Sequence, residues 1–143
     1  MASPPNGYRY GPIVVVKMAI DKDSADIVAG DYVDNSGATA GYILQADAGD
    51  VPLGVAWETM AAGTADGDAW VLVDISPLSV YEYPADTGTV SQGLCNLTAD
   101  LGGAQSINID ASTDDCVRIV AVDIEKNTCF VQRVANIGDA GVV

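Results

Sequence analysis

Apolar residues along this chain come in short bursts separated by Gly, Asp and Asn. Residues 13–20 (IVVVKMAI) are the first burst, apolar on both faces. That pattern predicts a central strand, or one buried at an interface. Residues 29–60 follow as short strands between tight turns: a turn at Ala29-Gly30-Asp31, then strands over 32–33, 42–45 and 53–58. Pro52 stands at the start of the last of these, where no ladder donor is needed. Residues 69–75 alternate Trp70, Leu72 and Asp74 against Val71, Val73 and Ile75, a half-buried strand. Residues 77–83 read as a further short strand or edge, and 84–89 as a connector. The layout then restarts more loosely. Residues 92–97 resemble 29–33, 107–109 are a short strand, and 117–124 with 128–134 form a hairpin about 125–127. No window carries a helical period, because Gly and Asp interrupt every run.

These elements predict an all-β fold: a small β-barrel, β-tulip or sandwich of short antiparallel strands, with a weakly duplicated unit. The β domain spans 13–134, with sub-units 13–83 and 90–134. Residues 1–12 (MASPPNGYRYGP) are an extended N-terminal arm, since Pro4, Pro5, Asn6-Gly7 and Gly11-Pro12 punctuate it without apolar period. Tyr8-Arg9-Tyr10 combines the residue types enriched at protein interfaces. Two outcomes stay open: a docking arm, or tyrosines folded back on their own domain. Residues 135–143 are a tail with no pattern.

Composition removes several function classes. The net charge is −14, and the six basic residues, Arg9, Lys17, Lys22, Arg118, Lys126 and Arg133, form no cluster. Such a chain is repelled by nucleic acid and by anionic membrane. It has no histidine, so Ser-His-Asp triads, Cys-His dyads and His-ligated metals are out of reach. Asp21, Asp23 and Asp26 hint at a calcium loop, but Asp26 stands where Gly is required and Tyr32 where Glu is required. No phosphate loop and no Gly-x-Ser-x-Gly elbow occurs. No catalytic residue, metal or cofactor is expected. Three cysteines, Cys95, Cys116 and Cys129, make an odd set without Cys-x-x-Cys. With the hairpin turn centred on Lys126, Cys129 falls opposite Asp123 and Cys116 lies about 23 Å further along. A disulfide between them is therefore excluded, and free buried thiols are expected. No signal peptide or membrane span is visible.

The order of these pieces resembles a known family. An extended apolar start is followed by Ala29-Gly30-Asp31, then Pro52-Leu53-Gly54-Val55-Ala56, then the Val-rich strand of 69–73 and the closing hairpin of 117–134. Over about residues 13–134 this is similar to the small Gly/Ala-rich decoration (cement) proteins of tailed-bacteriophage heads. The resemblance implies a β-barrel or β-tulip that binds the outer surface of an expanded capsid and bridges major capsid protein subunits of the HK97-like fold. It implies a homo-oligomer, a trimer foremost, placed on the virion after assembly in the host cytoplasm. It also implies a capsid-binding arm, with Tyr8, Arg9, Tyr10, Ile13 and Val15 as contact residues. Residues 77–83 have no place in that family's pattern. The alternative is a tail, fibre or other β-sandwich module contacting a carbohydrate or host receptor. Such a module needs exposed aromatic platforms, whereas Trp57 and Trp70 both fall in predicted strands and are expected in the core.

Overall fold

The computed structural model describes residues 7–134; the expected tail, 135–143, and residues 1–6 of the expected arm lie outside them. Eleven strands form two antiparallel sheets in a sandwich-like arrangement. The first sheet contains β2 (Val15–Ala19), β3 (Tyr32–Asn35), β4 (Ile43–Gln45), β5 (Gly54–Ala56) and β6 (Trp70–Asp74), in the spatial order β2-β6-β5-β3-β4. The second contains β1 (Tyr8–Tyr10), β7 (Val80–Pro84), β8 (Thr98–Gly103), β9 (Ser106–Asn108), β10 (Val117–Asp123) and β11 (Thr128–Arg133), in the order β1-β7-β11-β10-β8-β9. One 3-10 turn, Gln92–Leu94, is the single helical element among the described residues. The all-β expectation holds in its sandwich form. Neither sheet closes into a barrel, although one parallel bridge joins the end strands of the first, Ile20 to Ile43, and another joins β7 to the end strand β9 of the second, Ala85 to Ile107.

The pairings expose a repeat that the residues barely show. With β1 set aside, both sheets follow the same path: first strand, fifth, fourth, second, third. The registers coincide as well. Tyr32 faces Val55 and Val33 faces Gly54, while Thr98 faces Arg118 and Ala99 faces Val117. Val16 faces Val73 as Tyr81 faces Val131. Even the turn before the second strand is duplicated. Gly30 donates to the Ala56 carbonyl at 2.9 Å and Asn96 to the Ile119 carbonyl at 2.7 Å. Ala56 donates to Asp31 at 2.8 Å and Ile119 to Leu97 at 2.9 Å. Gly30 has φ +98° and Asn96 φ +71°, the left-handed region that Gly and Asn tolerate best. Asn96 therefore matches Gly30, so the second turn sits a few residues beyond the Gly93 that the sequence suggested.

Two sequence expectations change here. The sequence groups residues 77–83 with the first sub-unit; β7 instead pairs with β11 and opens the second unit. The apolar run 13–20 was expected to be central or buried at an interface. Within the chain it is the edge of its sheet, because β2 has a full ladder with β6 only. The hairpin forms as expected, shifted by one place: Cys129 faces Val122 and Thr128 faces Asp123. The turn takes four residues, Ile124 to Asn127, rather than three.

Two clusters make up the core. Ile20, Ile27, Val33, Ile43, Ala56, Val71 and Val73 fill the curl of the first sheet. Tyr32 and Val55 of the first sheet join Tyr81, Tyr83, Leu101, Ile107, Val117 and Val131 of the second. Burial of such side chains contributes about 1.5–3 kcal/mol each and drives the sheets together. Polar links then set the relative position of the units. Tyr32 N–H donates to the Ala104 carbonyl at 2.8 Å, and the Gln105 amide donates to Asp31 Oδ1 at 2.8 Å.

Candidate interaction surface

The arm residues fold back in part. Tyr8 lies opposite Tyr81 and Tyr10 opposite Val80, with an irregularity at Arg9 between them. The Tyr8 ring meets Trp57 edge-on at 5.4 Å and Tyr81 at 5.6 Å, and its hydroxyl donates to the Gly11 carbonyl at 2.7 Å. Arg9 Nε donates to Glu82 Oε1 at 2.9 Å. The Thr128 hydroxyl also donates to Glu82, and these two contacts, Thr128 first, hold the carboxyl below its ordinary pKa against the opposing effect of burial. Tyr8 and Arg9 thus join the domain to its own arm.

Tyr10, Ile13 and Val15 do the opposite. Tyr10 is 53% exposed, Ile13 40%, Val14 52% and Val15 37%. Leu78, another exposed apolar residue, lies against Gly11 in the same rim. Of the five arm residues singled out in the sequence, Tyr10, Ile13 and Val15 face solvent, Tyr8 is half-buried against its own domain, and Arg9 is exposed but paired with Glu82. Val14 and Leu78 join the exposed set. The cue for Val14 lay in the run itself: a strand apolar on both faces has one face to spare when nothing flanks it.

Trp57 is buried just after β5, as expected, and its indole N–H donates to Tyr81 Oη at 2.7 Å. Trp70 departs from expectation. It is 44% exposed on the outer face of β6, and Lys17 Nζ sits 5.7 Å from its ring centroid. Alternation along β6 buries Val71 and Val73, which turns Trp70 outward. A shallow groove of about 210 Å³ lies beside it, lined by Lys17, Ala19, Asn35, Ile43, Leu53 and Trp70.

Buried acids are committed to structure. Asp74 Oδ1 accepts from the Val14 and Ser76 amides at 3.1 and 3.0 Å, and Oδ2 accepts from Tyr81 at 2.8 Å. Asp100 accepts from the amides of Thr113, Asp114 and Asp115, which secures the loop before β10. Asp21, from the calcium-like run, turns inward and accepts from Ser36 and the Asp23 amide, so its pKa lies below the ordinary value. Asp23 stays at the surface beside Lys22. Among the described residues no group of three or more Cys, Asp or Glu is placed to hold a metal. All three cysteines are free thiols. No described helix is long and apolar enough to cross a membrane.

Comparisons with family models, with curated proteins and with solved structures gave no match.

Proposed function

We propose that this protein is a structural virion component that binds the outside of an expanded phage capsid and bridges major capsid protein subunits. The observation that carries the reading is the exposed apolar rim of Tyr10, Ile13, Val14 and Val15 on a chain of net charge −14. A strongly charged surface resists casual association, so an apolar strip within it marks a place of docking. The resemblance in element order to phage decoration proteins supports the same reading. The role is mechanical: buried area added across subunit seams opposes the outward pressure of packaged DNA, and trimerisation would multiply a modest affinity by avidity.

The test mixes the purified protein with expanded heads that lack it, then sediments and heats the particles. Co-sedimentation at saturable occupancy with a raised disruption temperature is expected. Absence of both refutes the proposal. Sedimentation of the free protein, and image averaging of decorated heads, read the oligomeric state.

Exposure of Trp70 beside Lys17 favours a second reading, a module that stacks a sugar ring on the indole. Quenching of Trp fluorescence by a glycan panel, lost in Trp70→Ala, would support it over capsid binding.

A further inference from the structure

The two units follow the same path and differ at one edge. In the second unit the outer side of β7 is covered by β1, and Glu82 N–H donates to the Gly7 carbonyl at 2.6 Å. The shared register places Val15, Lys17 and Ala19 of β2 where Val80, Glu82 and Pro84 of β7 stand. On β2, Val14 accepts from Ile75 and Ile20 donates to Ala69. Alternation along an antiparallel ladder then turns the N–H and C=O groups of Val15 and Lys17 away from β6. Past the Ile20–Ile43 bridge, no described strand meets that side. The bare edge is also flanked by exposed apolar side chains, Ile13, Val14 and Val15. Unpaired backbone beside apolar side chains is what strand addition requires.

Charge narrows the occupant. Glu82 receives Arg9 of β1 at 2.9 Å. The matched residue on β2 is Lys17, which has no ion-pair partner among the described residues. A strand seated on β2 as β1 sits on β7 therefore meets an ammonium where β1 meets a carboxylate. A second copy's Tyr8–Tyr10 would bring Arg9 against Lys17. A lysine on a sheet edge discourages pairing between like chains, and the same charge attracts an acidic one.

We propose that the outer edge of β2 is an acceptor for an extended acidic segment of another polypeptide. The segment adds antiparallel to β2, as β1 does to β7, and places an Asp or Glu at Lys17. This partner is defined by its chemistry and does not depend on the capsid reading.

The test uses the full chain, 15N-labelled, and two synthetic peptides copying residues 4–14. One carries Arg9→Glu and the other keeps Arg9. The Glu peptide is expected to shift the Val15 and Lys17 amides saturably and to slow their hydrogen exchange. The Arg peptide should bind about tenfold more weakly, the equivalent of one charge-assisted hydrogen bond. Lys17→Glu should reverse that preference. Lys17→Pro should abolish binding while keeping the fold, because the lost N–H points away from β6. Should that variant not fold, the reversal by Lys17→Glu decides alone. Absence of shifts at these amides, equal affinity for both peptides, or an unchanged preference in Lys17→Glu overturns the proposal. So does self-association abolished by Lys17→Glu, which would make a second copy the occupant. Amides protected in the free chain and exposed on removal of 135–143 would assign the edge to the chain's own tail, and overturn it equally.

Discussion

Tyr81→Phe deletes one oxygen and strands two buried groups. Tyr81 Oη accepts from Trp57 Nε1 at 2.7 Å and donates to Asp74 Oδ2 at 2.8 Å. All three residues are at most 7% exposed. The phenyl ring keeps the packing against Tyr8 and Tyr83, so the change isolates the hydroxyl. A buried donor or acceptor left unpaired costs about 1–3 kcal/mol, and more for a charged group. Asp74 keeps its two amide donors on Oδ1, which tempers its share. The expected loss is about 3 kcal/mol, a large part of the 5–15 kcal/mol typical of a domain. Tyr32→Phe is the matched control. Its hydroxyl is buried without a partner among the described residues, so removing it should be neutral or stabilising by about 1 kcal/mol. Urea unfolding at pH 7, followed by far-UV circular dichroism, measures both, with m expected unchanged. A Tyr81→Phe loss below about 1 kcal/mol, or an equal loss in Tyr32→Phe, would refute the assignment of this network as a bond between the sheets.

Gly54→Ala should destabilise by about 2 kcal/mol or more, because a Cβ there collides with the Asp74 carbonyl of the neighbouring strand; thermal unfolding checks it. Glu82 has a lowered pKa, so its contribution is fully present above the ordinary carboxylate value of 4.5 and is lost as pH falls through the folded value. The stability gap between wild type and Glu82→Gln should accordingly be constant near neutrality and close in acid, as read by urea midpoints across pH. Burial pushes the thiols of Cys116 and Cys129 up to about 11, while Cys95 is only half-buried. A thiol reagent at pH 8 should modify Cys95 quickly and the other two only on unfolding; rapid modification of Cys116 or Cys129 would contradict the described packing.

Legibility followed range. The hairpin of β10 and β11 was readable because alternation and a turn at Asn127 lie within a few residues of each other, and its register slipped by only one place. Trp57 and Trp70 looked alike in sequence, both aromatic and both in apolar runs. Only the ladder on β6 decided that Val71 and Val73 face the core and Trp70 the solvent. Tyr8 and Tyr10 likewise carried one signal and met opposite fates, since β1 turns one ring onto Trp57 and the other outward.

The sequence by itself determined the class: Gly and Asp at every few residues forbid helices, and alternating Val and Ile demand strands. It also determined the absence of histidine chemistry and of a basic footprint. Which sheet each strand joins was left to tertiary structure, because pairing depends on partners distant in the chain. That is why β7 moved to the second unit, why β2 proved an edge, and why a repeat faint in residues is plain in register. A strand's own residues record how much of it is apolar, and its neighbours decide which side of it remains open.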